Sequence, residues 1–119
     1  MTAQPADLTK KHCKPCESGL PRLTADEIKR LSPAVPKWRV NTAGTALRRE
    51  GNVEDFAAAL DFFQRVGQVA EAQGHHPDLH LTGYRHMAIE LSTHAIGGLS
   101  ENDFILAAKI DQLPVKLKD

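Results

Sequence analysis

The chain has 119 residues, with 15 Lys plus Arg matched by 15 Asp plus Glu, six His, two Cys and one Trp. That length fits one domain with its own core and no need of a disulfide staple. The zero formal charge gives no field to attract a nucleic acid or an acidic membrane, and no apolar run approaches the roughly 18 residues of a membrane span.

Residues 1–21 read as a flexible N-terminal arm, because their apolar residues are too few and too scattered to commit to a core; residues 22–119 are then the folded domain. The first twenty residues lack an apolar leader, and they carry Asp7 and Glu17 but no Arg, which argues against an organelle presequence. Cytoplasm is the expected compartment. Cys13 and Cys16 make a single C-x-x-C with no second ligand pair. It reads as an exposed reduced arm, a redox pair or half of an intermolecular zinc site.

Thr24-Ala-Asp-Glu27 has the form of a capping box opening a short helix, with Ile28 and Leu31 as its stripe and Pro33 and Pro36 as its stop. Trp38–Asn41 and Ala46–Glu50 flank a Thr-Ala-Gly-Thr turn and predict a hairpin. Asn52 is the expected N-cap of a long helix whose stripe is Phe56, Leu60, Phe63, Val66 and Ala70, widened by Ala59, Phe62 and Val69. Gly74 and Pro77 end it near Gln73, after about 21 residues or some 30 Å. Leu79–Leu81 predicts a short strand, and Met87, Ile89 and Leu91 alternate within Arg85–Thr93 as one buried strand face. Ser100–Asp103 caps a last amphipathic helix carrying Phe104, Leu106, Ala107, Ala108 and Ile110. The order α-β-β-α-β-β-α is an α+β fold: a four-stranded antiparallel sheet with helices packed on one face.

Histidine is the unusual component. Four of the six lie between His75 and His86, and His94 adds a fifth. His75-His76-Pro77 follows the long helix, where Pro77 fixes the chain direction and two consecutive imidazoles cannot enter the same core space. His94 closes the fourth strand. If that strand end meets this helix end, three imidazoles share a cleft and supply acid and base near neutral pH. The same three could hold zinc with an open water position, but adjacent histidines are an awkward spacing for one ion and no helical His-x₃-His is present, so no metal is expected. His80 and His86 read as solvated strand residues.

The segments Glu71-Ala-Gln-Gly-His-His-Pro77, Tyr84, Ile89-Glu-Leu-Ser-Thr-His94, Gly98-Leu-Ser-Glu-Asn-Asp103 and Leu106-Ala-Ala-Lys-Ile110 together resemble the pterin-4a-carbinolamine dehydratase family. The resemblance runs from Trp38 to about Ile110, and that family's layout is the element order read above. It implies dehydration of 4a-hydroxytetrahydrobiopterin to quinonoid dihydropterin, within the recycling that supports aromatic amino-acid hydroxylases. His75, His76 and His94 match the family's active-site histidines; Gly74–His76 and Ser92, Thr93, His94 and Ala95 match its pterin-contacting segments. Glu71 and Asp103 match carboxylates near the site, and Trp38 matches the hairpin tryptophan. Asp78-Leu-His80 is similar to the bacterial and plant-like version rather than the animal one. No cofactor, nucleic acid or membrane is implied.

The family's members form dimers, some of which pair into tetramers, so a homo-oligomer is expected here. A net charge near zero favours self-association too. The second reading is a non-catalytic module, since animal members also act as dimerisation partners of a homeodomain transcription factor and degenerate relatives assist assembly of a carbon-fixing enzyme. A pure scaffold has no chemical reason to keep all three histidines, which favours the enzyme. A zinc hydrolase is the third reading.

Overall fold

In the computed structural model, residues 5–13 and 21–118 are described. The elements are α1 (Pro5–Thr9), α2 (Ala25–Leu31) running into a 3₁₀ turn, β1 (Arg39–Val40), β2 (Leu47–Asn52), α3 (Phe56–Gln73), β3 (Asp78–Thr82), β4 (His86–Leu91), a 3₁₀ turn at His94–Ile96, and α4 (Glu101–Asp111). The four strands form one antiparallel sheet in the order β1-β2-β4-β3. In register, Leu47 opposes Leu91, Arg49 opposes Ile89, and Leu79 and Leu81 oppose Ile89 and Met87. The expected alternation on β4 therefore lands on the core face, where Met87, Ile89 and Leu91 are buried.

Local chemistry accounts for the element ends. Thr24 and Glu27 form the capping box of α2, with Thr24 N donating to Glu27 at 3.0 Å and Glu27 N to Thr24 Oγ1 at 3.2 Å. Asn41 Oδ1 accepts from the backbone of Thr45 and Ala46 and closes the hairpin loop, while Gly44 takes φ +71°. The three-residue β3–β4 turn, between the paired Thr82 and His86, places both Gly83 (φ +54°) and Tyr84 (φ +58°) in the left-handed region.

Four sequence expectations change. The N-cap of α3 is Asp55, whose side chain accepts from Ala58 N at 2.8 Å, and the helix has 18 residues; Asn52 is instead the last residue of β2, because its backbone continues the ladder opposite His86. The buried stripe of α3 is Ala59, Phe62, Val66 and Ala70, while Phe56 and Leu60 are each 49% exposed. Helix α4 is not amphipathic: every residue from Asn102 to Ala108 is buried, as is Ile110. A helix buried all round must be covered on more than one side, and that cover includes part of the expected arm. Pro5–Thr9 is helical, packs on α4, and buries Leu8 in the core. One leucine in that setting contributes roughly 1.5–3 kcal/mol, enough to commit a segment that looks too sparse for a core.

Candidate active site

Helix α3 ends in a left-handed C-cap, with Gly74 at φ +66° and its N–H given to the last-turn carbonyls. That reversal sends His75 inward and His76 outward: His75 is 4% exposed, whereas the His76 side chain is 62% exposed. Across from it, the chain leaves β4 and forms a loop pinched at its base by Thr93 N donating to Gly98 O at 2.9 Å. His94 opens the 3₁₀ turn at the exposed tip, and Gly97 closes it in the left-handed region. The loop delivers the chain to the N-terminus of α4.

One carboxylate joins these pieces. Asp103 is fully buried and its Oδ1 lies 2.6 Å from His75 Nε2. Its Oδ2 accepts from Thr93 Oγ1 at 2.9 Å and from Ser100 N at 3.0 Å, and the Thr93 and Ser100 hydroxyls are 2.7 Å apart. Asp103 is thus both the N3 carboxylate of the α4 capping box and the partner of a buried imidazole. A carboxylate only accepts, so the proton of His75 sits on Nε2 and Nδ1 is its basic nitrogen. The bond to Asp103 fixes ring orientation and tautomer together.

The second imidazole repeats the pairing in water. His76 Nε2 lies 3.2 Å from Glu71 Oε1. Both residues line an open groove of about 580 Å³ between α3 and β3, with Gln64, Gly67, Gln68 and Leu79. His75 and His94 are not in its wall. A separate concavity of about 440 Å³, lined by Glu54, Asp55, Asp61, Arg65 and Lys116, contains none of the expected site residues.

The structure therefore connects His75 and the Thr93–His94 turn through Asp103, and sets His76 beside Glu71 on the exposed side. Thr93 is buried, with its hydroxyl committed to Asp103; Ala95 and Gly74 are exposed and Ser92 is partly so. Trp38 is elsewhere. Its Nε1 donates to Asp111 Oδ1 at 2.9 Å, eight residues along α4 from Asp103, or about 12 Å of helix. His80 and His86 lie on the solvent face of the sheet, within 3.4 Å of Glu90 and 3.3 Å of Glu50 respectively. Glu50 is held below the ordinary carboxylate range, chiefly by the His86 hydrogen bond and then by Arg48. Among the described residues no group of three or more His, Cys, Asp or Glu is arranged to hold a metal. Cys16 lies outside them.

Two features escaped sequence reasoning. Ser100 was legible only as a cap, although its N–H donates to Asp103 and its hydroxyl meets that of Thr93, which itself donates to Asp103. Arg49 was legible only as a strand residue, although it is 3% exposed and its guanidinium sits 2.8 Å from Asp111 and 5.6 Å from the Phe62 ring centroid. Its position two residues after Leu47 on an alternating strand was the available signal.

Comparison with known proteins places this geometry. The family model described as pterin 4 alpha carbinolamine dehydratase matches residues 21–113. A Methylococcus capsulatus protein named putative pterin-4-alpha-carbinolamine dehydratase is 49% identical over 89% of this chain and 92% of its own length. An Arabidopsis thaliana protein named pterin-4-alpha-carbinolamine dehydratase 2, mitochondrial, is 48% identical over 93% of this chain and 61% of its own. Among solved structures, a transcriptional coactivator/pterin dehydratase from Brucella melitensis superposes with a TM-score of 0.72 at 28% identity, covering 77% of this chain and 97% of that one. A pterin dehydratase-like RuBisCO assembly factor of the alpha-carboxysome shares the fold, with a TM-score of 0.53 at 22% identity, over 64% of this chain and 87% of its own.

Proposed function

The chain belongs to the pterin-4a-carbinolamine dehydratase family, and on that premise we propose that it dehydrates 4a-hydroxytetrahydrobiopterin to quinonoid dihydropterin and water. The observation that carries this reading is the buried His75–Asp103 pair at 2.6 Å, tied through Thr93 to the loop that presents His94. In the reaction the bond from C4a to its hydroxyl breaks, and the hydroxyl leaves with an added proton as water. The lone pair of the adjacent ring nitrogen forms the new C=N bond, and that nitrogen gives up its proton. One proton is delivered and one removed, so the pterin loses one water and the protein ends with its protons exchanged between two groups.

Imidazoles suit both transfers near neutral pH, each worth about 10²–10⁴-fold. His75 and His94 take the acid and base roles, and His76, set against Glu71, binds or polarises the pterin. Gly74, Ser92 and Ala95 border the substrate seat between the two loops. The step needs no cofactor and no redox partner, because the nitrogen lone pair itself expels the leaving group. Its product returns to the cycle that supports aromatic amino-acid hydroxylases.

Self-association belongs to the same reading. The outermost strands β1 and β3 and the exposed Phe56, Leu60 and Leu79 support a homo-oligomer, dimer or tetramer. Among the described residues no helix is long and apolar enough to cross a membrane.

The test is a stopped-flow assay of carbinolamine decay. The wild type accelerates it well above the spontaneous rate, and His75→Ala and His94→Ala each remove most of that acceleration. A wild-type rate equal to the spontaneous one transfers the fold to the scaffolding reading. Loss of activity in His76→Ala with none in His94→Ala reverses the assigned roles.

A further inference from the structure

The N-terminal segment does more than cover α4; its anchors converge on Gln73 and Asn102, one within two residues of His75 and the other adjacent to Asp103. Near Thr9 the chain is held by Lys109 Nζ donating to Thr9 O at 2.9 Å. It then runs along α4 toward that helix's N-terminus, where Lys11 meets Glu101 at 3.2 Å. At Cys13 it divides its contacts between two elements. Cys13 N donates to Gln73 Oε1 at 2.9 Å, and the Gln73 amide nitrogen lies 3.3 Å from His12 Nδ1. Cys13 Sγ donates to Asn102 O at 3.6 Å. Gln73 is the last residue of α3, two before His75; Asn102 immediately precedes Asp103. The strap thus ties the end of the helix that delivers the imidazole to the start of the helix that delivers its carboxylate.

Resting on the dehydratase reading, we propose that the strap Lys11–Cys13 sets the approach of His75 to Asp103, with Gln73 as the positioning residue through which it acts. The physical reason is geometric. Gly74 is the left-handed cap between α3 and His75, and His75 N donates back to Ala70 O at 3.2 Å, so His75 moves with the last turn of α3. A tie on Gln73 therefore sets where that last turn, and His75 with it, sits against the start of α4. Catalysis by a preset hydrogen-bonded base is sensitive to such restraint, since a displacement of about 1 Å costs up to about 10²-fold. Gln73 acts through backbone placement.

The test uses the full chain with Gln73→Leu, which removes the acceptor for Cys13 N, and Gln73→Glu, which keeps a carboxyl oxygen in its place. Two readouts are compared. In ¹⁵N-labelled protein, the Nε2–H proton of His75 exchanges with water about tenfold faster in Gln73→Leu than in wild type, and near the wild-type rate in Gln73→Glu. In the dehydration assay, kcat falls about three- to tenfold in Gln73→Leu with KM within twofold, and Gln73→Glu recovers most of it. Unchanged His75 proton exchange and kcat in Gln73→Leu overturn the strap's positioning role. Equal losses in both variants overturn it too, since the acceptor would then be irrelevant. A wild-type protein without dehydratase activity leaves the exchange readout intact, so failure of the catalytic reading and failure of the strap are separately visible.

Discussion

The two ends of α4 each carry an aspartate paired with a buried nitrogen-bearing side chain, and the two partners differ in their proton chemistry. At the N-terminal end Asp103 holds His75 at 2.6 Å; at the C-terminal end Asp111 holds Arg49 at 2.8 Å and accepts from Trp38. Imidazole is a side chain that serves as proton donor and acceptor, whereas a guanidinium stays charged. Burial acts on both members of the second pair: it pushes Asp111 above the ordinary carboxylate range, opposed by Trp38, Arg49 and Lys37, and it lowers Arg49, opposed by Asp111. Desolvation leads at both members, which is the mark of an ion pair that costs nearly as much to bury as it returns. Such a pair fixes strand β2 against α4 without offering a proton to a substrate.

The comparison breaks most readily at His75. His75→Ala is expected to lose about 10²–10⁴-fold of the catalysed rate while unfolding cooperatively, measured by dehydration assay and thermal melt side by side. The opposite end should respond in stability instead. Asp111→Ala leaves Arg49 buried without its carboxylate and is expected to cost about 3 kcal/mol in urea unfolding, with kcat per folded molecule within twofold. Leu8→Ala removes a core anchor of α1 and is expected to cost about 2–3 kcal/mol in the same measurement.

The smallest effect concerns pH. Glu27 is held below its usual 4.5, first by the Thr24 backbone hydrogen bond and then by the Thr24 side chain. A carboxylate lowered in the folded state contributes stability that is present above pH 4.5 and lost as pH falls through its folded value. Glu27→Gln keeps the acceptor but not the charge, so the wild type should lead the variant at neutral pH and lose that lead below pH 4.5. Asp111 runs the other way: raised by burial, it favours the folded state most where it is protonated, and that contribution is lost as pH rises from 3.8 through its folded value.

The capping boxes at Thr24 and Ser100, the hairpin around Gly44 and the β4 face of Met87, Ile89 and Leu91 were all legible in the sequence, because each depends on a few neighbouring residues. The start of α3 was not. Asn52 and Asp55 are equally good caps in isolation, and the choice went to Asp55 because β2 pairs with β4 through Asn52. The helical face chosen by burial was likewise set by partners, which took Ala59 and Phe62 inward and left Phe56 and Leu60 out. In the site, the histidine pair was legible from His75-His76-Pro77, but the inward turn of one and the outward turn of the other needed the Gly74 cap. Thr93 resembled a substrate contact by position, and only packing shows its hydroxyl given to Asp103. The covering of α4 by Leu8 was out of reach of a local reading, because it joins residues about a hundred positions apart.

The most direct measurement of the contrast between the two helix ends is the catalysed dehydration rate, per folded molecule, of Asp103→Asn beside Asp111→Asn. The account predicts a loss of at least about tenfold for Asp103→Asn, whose amide can present its N–H to His75 and so misassign the tautomer, and a change within twofold for Asp111→Asn. Equal rates in the two variants, or a larger loss at Asp111, would contradict it.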